Sequence, residues 1–422
     1  MKVGVFSVSS QSGRAFLADM LLKGNVDVYG YARPTEHGKE FISSVAEKRG
    51  IYLERPQNKN NENNSFLWFG ETSGVGHDLS RLIDSDVIYI AHPSNFLLQT
   101  AVILKNAGII ERKIPLILAP PRSFATPYLW EILGEMYPIV SFSTCPYSCK
   151  APKVDTAYIK RRKRAWFASL EGRFSKKQVS NIESLFPQVI YNHVPLTTTI
   201  GNIGAVFHPA TYLLNYETIK LCEKEGRPFS FYIDGIYKRP DVGNFLESID
   251  QVRLQIANKL GAVTFGLKES PNEEYWAELM TSLYSKTDLT EDIQQLRKIR
   301  HDCLINISNA VPSAQHWLDY TYGVRRIAGE PLHEAIGRTP TYQKMSVPQS
   351  RYVTEDIPSS LVPLSAMAKR LSINSSPLDY VIDLYKKYYN IKDLGAEWRD
   401  LQKFSTNYLV DYLHGKFFEL IN

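Results

Sequence analysis

Hydrophobic and polar positions alternate in two textures along this chain, and the change from one to the other sets the first expectations. In the first third, short β-rich runs alternate with amphipathic stretches. "KVGVFSV" from Lys2 reads as a buried strand, "GRAFLADMLLKG" as a helix closing on a glycine, and "VDVYGYA" as a second strand. "DVIYIAHP" and "IPLILAPP" follow as two further strands rich in Ile, Val and Leu. Strands that are apolar throughout and separated by helical stretches predict a parallel sheet covered on both faces.

Beyond about residue 195 the period becomes helical. From Pro209, taken as the first residue of a helix, the apolar positions Tyr212, Leu213, Tyr216 and Ile219 recur at helical spacing. "DVGNFLESIDQVRLQIANKLG" carries Phe245, Ile249, Val252, Ile256 and Leu260 on one stripe and stops at Gly261. "SSPLDYVIDLYKKYYN" predicts another helix, capped by Ser376 with Pro377 first. The expected fold is α/β followed by α: a Rossmann-type doubly wound parallel sheet over residues 1–190 and a mainly helical domain over 191–422. Two polar interruptions stand out. "RPQNKNNENNS", Arg55 to Ser65, predicts an exposed loop, and "KRRKR", Lys160 to Arg164, predicts a solvated strand face between "VDTAYI" and "AWFASL".

Composition narrows the class. A length of 422 residues favours two domains, and 44% apolar with 22% charged residues is ordinary for a soluble globular protein. The net charge of +5 is spread along the chain, which argues against a nucleic-acid surface. Cys145, Cys149, Cys222 and Cys303 form neither a disulfide framework nor a zinc pattern, so no protein-held metal is expected. No apolar run approaches the roughly 20 residues that span a bilayer, and the opening "MKVGVFSVSS" lacks a secretory core. A soluble, cytoplasmic protein without membrane or nucleic-acid partners is the expectation.

The turn after the first strand, "SVSSQSG", lies where a dinucleotide-binding fold has G-x-G-x-x-G, and here Ser7, Ser9 and Ser12 occupy the three glycine positions, with Gly13 one place late. Small side chains still let a pyrophosphate approach the helix N-terminus, and Ser9, Ser10 or Ser12 can add a hydroxyl. The second strand ends in "YARPTEHGK" rather than in an acidic residue. Arg33, with His37 and Lys39 behind it, suits the 2′-phosphate of NADP(H) better than the free ribose hydroxyl of NAD(H), and Glu36 lies too far along to compete. His92 and Pro93, in "AHPSN" at the end of a predicted strand, read equally as cofactor-side residues or as plain loop.

Three separated segments carry a family resemblance. "NIGAVFHPATYLLN", "FYIDGIYKRPDVGNFLESIDQVRLQIANKLG" and "SRYVTEDIPSSLVPLSAMAKRL" stand in the order of the octopine/nopaline (opine) dehydrogenase family. The matching residues are Asn202, His208 and Pro209; Arg253, Ile256, Ala257, Leu260 and Gly261; and Arg351, Tyr352, Thr354, Glu355, Asp356 and Pro358. The pattern covers the chain to about residue 390. "STCPYSCK" resembles the stretch ending the family's first domain, with Lys150 where arginine is usual. One position departs, because Gly204 stands where a second asparagine is common. "FSTCPYS" and "GYARP" resemble the branch that makes metal-chelating opines such as staphylopine and pseudopaline, whereas "RYVTEDIPSSLVPLSAMA" is closer to the branch using ordinary amino acids. In either branch a metal ion would be held by product.

The resemblance implies His208 and Asp356 as the catalytic pair, working in the crevice between two domains of a homodimeric, NADP(H)-dependent enzyme. Its substrates would be a small-molecule amine and a 2-oxo acid. The chemistry asks for such a pair. An ammonium must lose protons before its nitrogen attacks a ketone, and a carbinolamine oxygen must gain one to leave as water. One imidazole can do both if a carboxylate fixes its tautomer. Both substrates are carboxylates, so Arg351 is the first candidate clamp, followed by Lys150 and Arg253, with Arg253 equally suited to a structural ion pair. Asn202 would supply the hydrogen bond lost at Gly204. His193 and His316 show no companion pattern in the sequence. Two other readings share the first domain: a two-domain reductase of 2-oxo or 2-hydroxy acids, and a nucleotide-binding sensor without turnover.

Overall fold

The computed structural model describes residues 1–56, 64–163, 165–267, 273–287, 293–325, 327–347, 351–392 and 398–422. The chain forms two compact units. One comprises Met1–Pro121, Thr126–Pro195 and Gly415–Asn422, and the other Arg122–Ala125 and Leu196–His414. This differs from a single division at residue 190, because the chain crosses between units more than once. The last strand, Phe418–Ile421, pairs in parallel with Trp166–Ser175 and so belongs to the first unit.

In the first unit, β1 (Lys2–Phe6) lies centrally, with β2 (Asp27–Tyr31) and then Gly74–Gly76 on one side. Val87–Ile90, Leu116–Leu118 and Ile139–Phe142 follow on the other side, all of these strands parallel. Trp166–Ser175 joins antiparallel and Val189–Asn192 completes the path. The order reverses at β1, which opens the crevice outside the carboxyl ends of β1 and Val87–Ile90 where such folds bind nucleotides. Both strands are apolar because both faces are covered: Val3, Val5, Val87 and Tyr89 are buried in one core with Ala15, Phe16 and Leu17 of α1 (Gln11–Lys23). A second sheet, ordered Asn64–Trp68, Gly50–Glu54, Thr156–Arg162 and Tyr147–Lys150, also belongs to this unit. "KRRKR" accordingly falls on a strand end, with Lys160 and Arg161 exposed and Arg162 paired to Asp19 at 2.6 Å. Most of the Asn-rich tract and Arg164 lie outside the described residues.

The second unit is predominantly helical. Pro240–Lys259 buries the predicted stripe at Ile249, Val252 and Ile256, and Gly261 follows at φ 75°. Ser376–Tyr389 starts one residue earlier than expected, with Ser375 at the cap. The larger correction concerns Pro209. It stands inside the helix Ile203–Leu214, not at its start, and Tyr216 and Ile219 belong to the next helix, Tyr216–Glu225. An interior proline costs about 3 kcal/mol; burial of Phe207, Ala210, Tyr212 and Leu213 along the same helix offsets it. Sequence propensity places Pro209 at a boundary, and tertiary packing extends the helix through it. Two π-helical turns interrupt the unit, Ile233–Tyr237 and Ile357–Leu361, the second beginning directly after Asp356. Such turns shift the facing of side chains on either side and recur at functional sites. No described helix is long and apolar enough to cross a membrane.

Candidate functional site

At the head of α1 the serine-substituted turn folds as a glycine turn would. Ser7 takes the left-handed conformation at φ 64°. Gly13 is the position that tolerates nothing larger, since a Cβ there would lie 2.6 Å from the Ser7 carbonyl oxygen and 2.7 Å from Val8 Cα. Ser10 caps the helix: its Oγ accepts from the Gly13 amide at 3.0 Å and donates to the Ala91 carbonyl at 2.5 Å, joining the turn after β1 to the one after Val87–Ile90. Ser12 turns inward, with Oγ 2.9 Å from the Tyr89 hydroxyl and 3.5 Å from Cys145 Sγ, which removes it from the expected hydroxyl donors. Ser9 contributes its carbonyl, which accepts from Arg14 Nε at 3.0 Å.

Arg14, which sequence reading missed, is a buried cation beneath this turn. It also donates to the Lys153 carbonyl at 2.5 Å and stacks over Phe41, and burial pulls its guanidinium down to about 10, so it stays charged at neutral pH. His37 Nε2 lies 3.1 Å from the Ser9 carbonyl and 3.5 Å from Arg14 Nη2. Arg33 reaches Gln99 at 3.3 Å, and exposed Lys39 pairs with Glu36 at 3.3 Å. Together these residues put a capped helix end and several cations at the carboxyl ends of β1 and β2, and they fit a nucleotide carrying phosphates. Among them Gln11 and Ser12 begin a helix whose first amides have no carbonyl partner one turn back. His92 is corrected to a loop role: Nδ1 lies 2.8 Å from the Pro93 carbonyl and Nε2 2.7 Å from Thr100 Oγ1, so its own chain occupies both nitrogens. Pro93 likewise serves the following turn as its cap.

The helical unit brings His208 and Asp356 together. His208 Nδ1 is 3.2 Å from Asp356 Oδ2, with Asp356 fully buried and the His208 side chain 18% exposed. The contact follows from the packing of Ile203–Leu214 against the short helix Arg351–Asp356. Tyr352 lies over the imidazole, ring centroids 4.2 Å apart and planes at 30°. Arg122, also missed from sequence, places Nη2 2.8 Å from Asp356 Oδ1 and Nε 3.4 Å from Glu355 Oε1. With Nδ1 engaged by a carboxylate, Nε2 is the nitrogen left to exchange a proton.

Gly204, one helical turn before His208, opens that edge. A Cβ at Gly204 would sit 3.2 Å from His208 Cε1, 3.8 Å from Nε2 and 3.8 Å from Asn202 Oδ1. Asn202 therefore lies at the same corner. Replacing a helical glycine by alanine stabilises by up to about 1 kcal/mol, but here the methyl group meets the imidazole. Gly204→Ala is expected to keep or raise the melting temperature while lowering kcat/KM about 10-fold or more, since misplacement near reacting atoms is heavily penalised. Full activity would show that substrate does not use this edge.

Arg253 leaves the substrate set. It is 1% exposed, pairs with Asp250 at 2.7 Å, and donates to the carbonyls of Ile200 at 3.2 Å and Pro312 at 2.5 Å. Every arm of the guanidinium is spent on structure. Lys150 is an exposed strand end in the first unit, opposite Tyr158. Arg351 begins its helix, and its side chain lies outside the described residues. His316 does have companions, Ser313 Oγ at 2.6 Å and Glu273 Oε1 at 3.2 Å, but it is fully buried at a helix cap. His193 stacks on Phe418 at 3.7 Å, and burial lowers its pKa.

Residues 192–389 match the family model of the NAD/NADP octopine/nopaline dehydrogenase alpha-helical domain, a span that contains both His208 and Asp356. That stretch of the chain carries the alpha-helical domain of the opine dehydrogenase family. Together with the relatives below, this match supports an NAD(P)-dependent oxidoreductase. The opine dehydrogenase of Arthrobacter sp. (strain 1C) is 25% identical over 406 residues, covering 94% of this chain and 93% of its own. Among solved structures, an octopine dehydrogenase with NADH and L-arginine superposes with a TM-score of 0.69 at 14% identity, covering 95% of this chain and 93% of that one. A yersinopine dehydrogenase with NADP+ bound gives 0.56 at 14% identity, covering 99% and 98%. Against the family pattern read from the sequence, the Ser-for-Gly turn and Gly204 are this chain's own departures.

Proposed function

We propose that the chain is an NADPH-dependent opine dehydrogenase. It would reductively condense the amino group of an amino acid, or of a nicotianamine-like amine, with a 2-oxo acid such as pyruvate or 2-oxoglutarate. The observation that carries the reading is the His208–Asp356 contact, an imidazole held through Nδ1 with Nε2 beside Gly204. Nε2 takes a proton from the ammonium so that its nitrogen can attack the ketone, then returns one to the carbinolamine oxygen as water leaves. Asp356 holds the Nδ1–H tautomer and balances the imidazolium between these steps. Asn202, at the same corner, offers an amide to the reacting groups. The nicotinamide, when bound, supplies the hydride that reduces the imine. Its phosphates would be held at the Ser7–Gly13 turn, and its 2′-phosphate by Arg33 and Lys39. Family resemblance supports a cytoplasmic homodimer.

The deciding test is NADPH oxidation with a panel of amines and 2-oxo acids, with mass detection of the condensed product. Consumption that requires an amine is expected. Oxidation with the oxo acid alone would show a ketone reductase, and tight NADPH binding without turnover by any pair would show a sensor. A separate prediction concerns the cofactor. Charge-assisted hydrogen bonds are worth about 1.5–3 kcal/mol, so Arg33→Ala is expected to weaken NADPH binding about 10- to 100-fold and leave NADH unchanged. An equal loss for both cofactors in fluorescence titrations would remove Arg33 from 2′-phosphate recognition.

A further inference from the structure

Asp356 poses a charge problem that His208 alone does not solve. Two consecutive carboxylates, Glu355 and Asp356, are 5% and 0% exposed. Neighbouring buried carboxylates do not both stay ionised without a cation, and one takes up a proton. A protonated Asp356 would no longer stabilise an imidazolium.

Arg122 supplies the cation. Its Nη2 takes Asp356 Oδ1, which leaves Oδ2 for His208, and its Nε faces Glu355. Burial opposes the guanidinium's charge, but the fields of Asp356 and Glu355 prevail and raise its pKa. The chain is also built to hold it there. Arg122 adopts φ 65°, a left-handed conformation unfavourable for any side chain. Ser123 beside it is clamped three ways: its amide donates to the Ser359 carbonyl at 3.0 Å, its hydroxyl to the Thr199 carbonyl at 2.8 Å, and its own carbonyl accepts from Arg399 Nη1 at 2.8 Å. Ser359 lies in the π-helical turn that follows Asp356, and the Arg399 amide donates to Pro358 in that turn at 3.1 Å. The turn that directly follows Asp356 thus also anchors the segment carrying Arg122. Strained backbone held by so many bonds at a site is seldom incidental.

We propose that Arg122 is a positioning residue of the proton-transfer pair, keeping Asp356 ionised and its Oδ2 turned to His208 Nδ1. The inference rests on His208 as the acid/base. Among the described residues, Asp356 pairs with Arg122 and His208, Glu355 faces the same Arg122, Tyr352 lies over the imidazole, and the Tyr232 phenol is within electrostatic reach of Asp356. With Arg122 present, the cluster carries one net negative charge when the imidazole is neutral and none when it is protonated. The proton that catalysis parks on His208 therefore brings the cluster to neutrality.

The test is steady-state kinetics against pH on the full-length enzyme carrying Arg122→Gln, Arg122→Lys, and Arg122→Gln with Glu355→Gln. Arg122→Gln is expected to lower kcat about 10- to 100-fold, the range for groups that orient a reacting residue. The KM values for amine and oxo acid should stay within about threefold of the parent. The surplus carboxylate of this variant takes up a proton that departs only as pH rises, so the acid limb of the kcat profile moves to higher pH. Arg122→Lys restores part of kcat, and Glu355→Gln added to Arg122→Gln restores the acid limb by removing the competing carboxylate. A raised KM for the oxo acid with unchanged kcat and pH profile would make Arg122 a substrate clamp and overturn the proposal, as would unchanged kinetics. Should Arg122→Gln fail to fold, the Lys variant and the double variant still decide: an acid limb that stays at higher pH than the parent's in the double variant, or a raised KM for the oxo acid with parental kcat in Arg122→Lys, overturns it. An active His208→Ala would instead overturn the reading of His208 itself.

Discussion

His208→Ala is expected to lower kcat by about 100- to 10,000-fold, the span that general acid–base groups contribute, while the affinity for NADPH stays within about twofold of the parent. The two halves of this expectation come from different parts of the structure. His208 lies in the helical unit, with its Nδ1 on Asp356 and its ring under Tyr352. The residues proposed to hold the nucleotide, Ser7–Gly13 and Arg33, lie in the first unit. Loss of the imidazole leaves Asp356 paired to Arg122, so no uncompensated carboxylate is created and the fold should survive. Turnover within tenfold of the parent would remove His208 from proton transfer. A parallel fall in cofactor affinity would mean that the substitution had disturbed more than the site.

The second large effect is on stability. Arg253→Met is expected to destabilise the helical unit by about 3–5 kcal/mol, because it leaves the buried Asp250 side chain without its ion-pair partner. Chemical denaturation reads the shift. Asp250 would retain only the Ala314 amide, which now donates to its Oδ2 at 2.8 Å. The variant's folded fraction should show the parent's KM for both substrates. A stable protein with a raised KM for the oxo acid would return Arg253 to the substrate side.

The particular residues show why some features were legible in the sequence and others not. The main sheet could be anticipated because a run such as "KVGVF" is apolar at nearly every position, which only burial on both faces explains. The Pro240–Lys259 helix was equally plain, since a stripe repeating every three or four residues survives any tertiary context. His208 and Asp356 were found through motif resemblance, and their meeting, 148 residues apart, is set by helix packing that no local pattern encodes. Arg122 left no signal at all. It follows two prolines in a segment without periodicity, and its partners Glu355 and Asp356 lie more than 230 residues away. Pro209 misled because local propensity marks a helix start, whereas the burial of its neighbours decides otherwise. Ser12 misled for a related reason: its hydroxyl seemed available to a ligand, but the Tyr89 hydroxyl beside it already claims it.

The strand Phe418–Ile421 carries a consequence for how the gene can be cut. The chain leaves the first unit after Pro195 and returns at Gly415, so the helical half is an insertion whose both ends are tethered to one scaffold. Gly415 is needed at that return, since a Cβ there would collide with the His193 carbonyl at 1.9 Å. Trimming the carboxy terminus strips the strand Phe418–Ile421 from the first unit and removes neither His208 nor Asp356. Dissecting the protein at one breakpoint thus yields two damaged halves, and excising Leu196–His414 from within strips Ser123 of the bonds to Thr199, Ser359 and Arg399 that hold it.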